Sequence, residues 1–247
     1  MWYRAELKQN AKDVLKKNYW MPFAVSLVYS LLSGSAGSVG GSSGGTGSGL
    51  SIINMQGVQA ENSLLYAIAI MLIVLLGVAL AFALQFFVAG PIEVGKRRFY
   101  MENRDSDPSF TKLFYGFKHQ YLNNSAAMFT TNLFIGLWSL LFVIPGIIKG
   151  LAWSQVPYIL AENPSMTGKR AREISECMTA EQKGDIFVLE LSFIGWSLLG
   201  ALACGIGSFF VAPYMDATYA ELYARLRSNV LANGLVSPEE LPGFEHE

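Results

Sequence analysis

Three long stretches of this sequence carry no Asp, Glu, Lys or Arg: residues 62–92, 120–148 and 191–215. Each exceeds the ~20 apolar residues that a helix needs to cross the hydrocarbon of a bilayer. Charged residues amount to 15% of the chain, against about 25% in soluble domains, and mean hydropathy is +0.33. This pattern excludes a soluble globule, a disordered chain and a nucleic-acid binder. It predicts an all-α polytopic membrane helical bundle. The net charge of −1 is uninformative, because the placement of charge is what carries the signal.

Six apolar segments stand out, at about 19–34, 63–90, 121–144, 147–163, 186–203 and 206–224. Basic residues then set the orientation. Arg4, Lys8, Lys12, Lys16 and Lys17 precede the first segment, and the 34–62 connection has none. Lys96, Arg97, Arg98, Arg104, Lys112 and Lys118 fill 91–120; Lys169, Arg170, Arg172 and Lys183 fill 164–185; Arg225 and Arg227 follow the last segment. All but one of the 18, Lys149, fall on one side if every segment crosses. Connections rich in Lys and Arg stay in the cytoplasm, so both termini are expected inside. The short 147–163 segment contains Lys149, Gln155 and Pro157, but without it the basic 164–185 connection would be exported. Lys149 is expected to snorkel outward from the turn that precedes it.

Residues 1–227 therefore read as one transmembrane domain with a Gly/Ser-rich exterior loop at about 34–62, and 228–247 as a polar cytoplasmic tail. A rival reading cleaves 1–36 as a signal peptide and leaves five spans. The long charged start and the lack of an A-x-A site count against it. The two cysteines, Cys177 and Cys204, fall on opposite sides, so no disulfide is expected. With His119 and His246 as the only histidines, no metal-ligand spacing exists, and no nucleotide-binding glycine motif is present. No cofactor and no metal are expected.

The chain also contains a threefold pattern. Tyr29-Ser30-Leu31-Leu32, Trp138-Ser139-Leu140-Leu141 and Trp196-Ser197-Leu198-Leu199 share aromatic-Ser-Leu-Leu in rising segments. The returning segments share an aromatic residue, a proline four positions on and a small residue four beyond that. These are Phe87, Pro91 and Gly95; Trp153, Pro157 and Ala161; Phe209, Pro213 and Ala217. An apolar stripe beside basic residues precedes each pair: Tyr3, Leu7, Ala11 and Val14; Phe110, Leu113, Phe114, Phe117 and Tyr121; Ala171, Ile174 and Met178. Asp107-Pro108 and Asn163-Pro164 offer N-cap and first-turn signals for the second and third. The unit predicted is an amphipathic interfacial helix followed by a hairpin, three times, giving six transmembrane helices around a pseudo-threefold axis. The amphipathic helices would lie on anionic headgroups at the inner face of the bilayer. Pro91, Pro157 and Pro213 would kink their helices and free the carbonyls of Phe87, Trp153 and Phe209, which must then find partners.

These motifs resemble the domain-of-unknown-function 975 family of multi-pass bacterial membrane proteins. The matching stretches are Arg4-Ala5-Glu6-Leu7-Lys8 with Asn18-Tyr19-Trp20, Gly90-Pro91 with Gly95 and Phe99, and Pro108-Ser109-Phe110. Further along come Ile144-Pro145-Gly146-Ile147-Ile148-Lys149, Pro157-Tyr158-Ile159-Leu160-Ala161, Ser192-Phe193-Ile194-Gly195-Trp196 and Ala212-Pro213-Tyr214. The resemblance implies an integral protein of the bacterial cell membrane. It transfers no activity and no catalytic residue.

Ionisable groups inside membranes are costly and are functional candidates by default. Asp216 sits about ten residues below the outer turn, near mid-depth. Facing the bundle interior, it would either be a structural carboxylate satisfied by Asn132 or a serine, or hold a cation or proton beside Asn132 or the Phe209 carbonyl. Gln85 is also mid-span, and Glu190 lies closer to the inner headgroups. Asp216→Asn is expected to preserve assembly, whereas Asp216→Leu would cost stability. An aspartyl intramembrane protease would want two such aspartates, and the spans hold one. No nucleophile, base and orienting group come together, so an enzyme is not expected. The expected role is non-enzymatic handling of a lipid or small solute within the bundle; a membrane scaffold or accessory subunit is the alternative. The partner expected is the bilayer itself, with no nucleic acid.

Overall fold

The computed structural model describes residues 2–33, 63–202 and 206–244. The Gly/Ser stretch with the rest of 34–62, residues 203–205 with Cys204, and His246 lie outside the described residues. Every regular element among the described residues is helical.

α1 (Arg4–Lys17) and α2 (Trp20–Leu32) open the chain. α3 (Ser63–Leu84) follows, a 22-residue helix without a charge. It is apolar all round and its described side chains are almost all exposed, which is the surface a helix presents to lipid. α3 passes through one π turn, Gln85–Ala89, into α4 (Gly90–Glu102). Leu65–Glu102 is thus one continuous rod, and among the described residues it alone is long and apolar enough to cross a membrane. The π turn answers Pro91. Proline has no N–H to give the Phe87 carbonyl, so the ladder widens there, and the Gly90 N–H reaches Gln85 five residues back. The Tyr121 hydroxyl donates to the orphaned Phe87 carbonyl at 3.0 Å.

A 3₁₀ segment, Phe110–Phe114, and the short α5 (Tyr115–Lys118) lead to α6 (Tyr121–Leu141). The chain turns at Phe142, in extended backbone, into α7 (Val143–Ala152) and breaks before α8 (Val156–Glu162). The expected 147–163 helix is therefore two pieces. The break's backbone groups are supplied from α9 (Gly168–Thr179): Ser175 Oγ donates to the Ala152 carbonyl at 2.7 Å and accepts from the Gln155 N–H at 3.2 Å. The N-cap of α9 is Thr167, not Asn163, which ends α8. Ser109, not Asp107, precedes the 3₁₀ segment.

α10 (Lys183–Leu202) and α11 (Ile206–Ala232) complete the fold, with Pro213 inside α11. Pro213 does not break α11, and the Tyr19 hydroxyl donates to the nearby Phe210 carbonyl at 2.9 Å. α11 runs past the expected boundary at 227. Gly234, in left-handed conformation, turns the chain while the Leu235 and Gly234 N–H groups cap the carbonyls of Val230 and Leu231. Residues 233–244 then fold back: Asn163 donates to the Glu240 carbonyl, Arg227 to that of Leu241, and the Gly243 N–H to Glu162.

The core is built from the returning helices. α4 packs against both α8 and α11, and Tyr158 of α8 stacks on Tyr223 of α11 at 5.0 Å. Around them α1 lies on α11, the 3₁₀ segment and α5 lie on α4, and α9 lies on α8. The stripe of α1 is buried against protein rather than left bare for headgroups. It runs through Leu7, Ala11 and Leu15, with Tyr3 exposed and Val14 half-buried. Ala171, Ile174 and Met178 of α9 are buried at the expected positions.

Candidate functional site

Below Pro91, α4 places Glu93, Lys96, Arg97 and Tyr100 at i, i+3, i+4 and i+7, which puts all four on one helix face. That face meets α2, α8 and α11. Asp216 of α11 is 7% exposed and accepts from Lys96 Nζ at 2.9 Å, from Arg97 Nη1 at 3.2 Å and from Ser26 Oγ at 3.1 Å. Arg97 Nη2 reaches Glu93 at 3.2 Å, and its Nη1 also lies 3.3 Å from the Tyr158 hydroxyl. Tyr100 donates to the Pro22 carbonyl at 3.0 Å, with its oxygen 2.8 Å from Ser26 Oγ. The Lys96 ammonium sits 3.8 Å over the Tyr29 ring. Two cations and two carboxylates thus balance in a pocket closed by three phenols and a serine.

Asp216 is buried in the bundle, and of the partners considered from sequence a serine, Ser26, reaches it while Asn132 does not. Asn132 and Gln85 line a separate apolar groove of 390 Å³ with Phe82, Phe129 and Leu137. Neither reaches Asp216. Glu190 lines a third space of 160 Å³ together with Arg97, Gln155, Tyr158 and Tyr219. Arg97 is therefore shared between the Asp216 cluster and the Glu190 cavity. Among the described residues Glu190 has no hydrogen-bond or ion-pair partner, and Gln155, 3% exposed, has Oε1 without a donor.

The proline positions stay at the edge of this chemistry. Pro91, Pro157 and Pro213 are all buried, each within three positions of a residue of the cluster or cavity. Two of the three freed carbonyls find donors. Tyr121 serves Phe87, and the Val156 N–H serves Trp153 at 3.2 Å.

Further charges are paired at the ends of α4, α8 and α11. Glu162 accepts from Tyr223 at 2.6 Å, from Arg227 at 2.7 Å and from the Gly243 N–H at 2.7 Å. Arg104 holds Glu221 at 2.7 Å, and Arg98 and Lys112 share Glu102. Several residues counted above as loop charges are thus structural. Outside the apolar segments, the Lys149 ammonium holds the Glu176 carboxyl below its usual range, and Arg170 does the same for Glu240.

Residues 117–230 match the family model described as protein of unknown function (DUF975). This is the family that the motifs resemble. The matched stretch contains Asp216, Glu190, Gln155 and Tyr158, whereas Ser26, Glu93, Lys96 and Arg97 precede it. No curated protein and no solved structure matches the chain.

Sequence reasoning missed Ser26, Lys96, Arg97, Tyr100 and Tyr158. The signal was present in the Glu93, Lys96, Arg97, Tyr100 spacing after Pro91, but basic residues next to an apolar segment read as a cytoplasmic connection.

Proposed function

We propose that the chain is a multi-pass integral protein of the bacterial cell membrane, with both termini inside, that handles a lipid or small solute through its central bundle without covalent chemistry. The observation that carries this is the buried cluster of Lys96 and Arg97 with Glu93 and Asp216 where α2, α4, α8 and α11 meet. Burying four charges costs several kcal/mol per ion before pairing offsets it, and hydrophobic residues would hold the same helices more cheaply. Charge kept among membrane helices is a mark of function. The all-round apolar α3 supports the membrane placement.

The packing order supports the repeat. Each amphipathic element lies on the returning helix of the preceding copy: the 3₁₀ segment and α5 on α4, α9 on α8, and α1 on α11. Such a closed cycle is what pseudo-threefold symmetry requires. The scaffold reading draws on the charge balance of the cluster, since two cations neutralised by two carboxylates also lock a bundle.

Purified full-length protein in liposomes separates the two. Scrambling of a fluorescent phospholipid (read by dithionite quenching) and proton flux (read by an entrapped pH dye) would be measured together. The double variant Lys96→Met/Asp216→Asn removes one charge of each sign and leaves Arg97 with Glu93. The handling reading expects activity in the wild type and its loss in a folded double variant. Inactive wild type, or activity that the double variant keeps, would leave the scaffold.

A further inference from the structure

α6 has 21 residues and α7 only 10, and the part of the α6–α7 hairpin above Lys149 is too short to cross a bilayer. α9 climbs beside it and fixes its level. Gly168 packs on Ala127, Arg172 donates to Thr130 and Thr131 and covers Phe134, and Glu176 accepts from Lys149 at 2.7 Å and from Trp153 at 2.8 Å. Lys149 is the one basic residue that six crossings would put outside, and Glu176 belongs to a connection assigned inside. Their contact removes that separation.

The pair is partly open, with side-chain exposures of 33% and 41%, and the Lys169 side chain on the same helix is 84% exposed. Such charges belong in water or among headgroups, not in hydrocarbon. Opposite Lys149, Gly150 faces Ile135, and above it Gly146 packs on Ser139. From Lys149 to the turn at Phe142 the hairpin therefore rises only about 10 Å, at 1.5 Å per residue. One leaflet's hydrocarbon is about 15 Å thick and the whole core about 30 Å. The tip itself is dressed for lipid: Leu140 is 86% exposed and Ile144 72%, with Leu141, Phe142 and Val143 nearly as open.

We propose that α6 and α7 form a re-entrant wedge whose tip, Leu140–Ile144, inserts into the inner leaflet alone and returns to the cytoplasmic side. The partner is the acyl-chain layer of that leaflet. Entry and exit on one side keep 91–120 and 164–185 inside as the basic residues require, and Lys149 joins them. The height of this hairpin is set by the charged helix α9 on its flank. The inference rests on the membrane reading above, and the test lets either fail alone.

The experiment uses full-length protein in cells with Cys177 and Cys204 replaced by serine. One variant carries Phe142→Cys and a second Ser42→Cys in the loop expected outside. A membrane-impermeant maleimide is applied with the outer layer permeabilised. The wedge expects Ser42→Cys to be labelled and Phe142→Cys to stay unlabelled. In liposomes, a fluorophore attached to the thiol of the Phe142→Cys variant should be quenched best by lipids that carry the quencher near the acyl-chain ends. External labelling of Phe142→Cys at the Ser42→Cys level overturns the wedge and restores a crossing. Absence of quenching overturns it too, and shows the tip covered by protein. An unlabelled Ser42→Cys overturns the orientation that both readings share.

Discussion

Lys96 Nζ stands 2.9 Å from Asp216 Oδ1 with only 6% and 7% of the two residues exposed, although 120 positions of sequence separate them. α4 brings the ammonium, α11 brings the carboxylate, and Arg97 makes the carboxylate the acceptor of two cations. A buried pair is strongest as evidence when one half is removed. Asp216→Asn leaves two buried cations with Glu93 alone, and breaking a buried pair costs about 3–5 kcal/mol. With these partners Asp216→Asn is expected to cost stability rather than to be tolerated. Thermal unfolding in detergent should show the single variant well below wild type and the double Lys96→Met/Asp216→Leu closer to it. A single variant that melts with wild type would show the pair to be energetically idle.

Much of the fold was legible because it follows from where charge is missing. Uncharged stretches place α3 and α6, and the stripe Ala171, Ile174 and Met178 lies on a helix as its spacing implied, though it is buried against protein. Hydropathy fails where a helix is apolar but short, and there depth is set by a neighbour. Nothing local to Lys149 says that Glu176 will rise to meet it. The candidate site was half legible for a related reason. Asp216 is conspicuous among apolar residues, whereas Lys96 and Arg97 sit in a basic run whose ordinary meaning is a cytoplasmic connection. Which cation faces inward depends on α4 continuing straight through Pro91, and that depends on a π turn no spacing announces.

The folded-back tail should be sensitive to acid. Arg170 grips Glu240 with two bonds of 2.7 and 3.1 Å and lowers its pKa. A carboxylate whose pKa is lowered on folding adds stability above its ordinary value, about 4.3, and loses it as pH falls through the lowered one. The pair is partly exposed, so the effect is small and salt-screened. Wild type should melt above Arg170→Gln at pH 7, and the gap should close below about pH 4. A gap that persists in acid would assign it to packing of the Arg170 stem.

Orientation can be read from the native thiols. Cys177 on α9 is half-buried in the connection expected inside, and Cys204 belongs to the connection expected outside. An impermeant maleimide on whole cells, with outer-layer access controlled, should modify Cys204 before Cys177. The reverse order would place α9 on the exterior and turn the whole bundle over.

Close approach of backbones gives the sharpest contrast in stability. A Cβ on Gly95 would overlap the Leu113 carbonyl, standing 2.6 Å from its carbon, and one on Gly116 would stand 2.9 Å from the Pro91 carbonyl carbon. These obstacles are main chain, so no rotamer change relieves them, and the 3₁₀ segment or α5 would have to leave α4. Gly136 on α6 has nothing within 4 Å of its Cβ position. Alanine there should gain up to about 1 kcal/mol of helix propensity, whereas Gly95→Ala and Gly116→Ala should lose at least the ~1–3 kcal/mol typical of overpacking. Melting temperatures of the three variants in one detergent decide the matter. If Gly95→Ala melts no lower than Gly136→Ala, the second amphipathic element is not seated on α4, and the cyclic packing that supports the threefold repeat loses one of its three contacts.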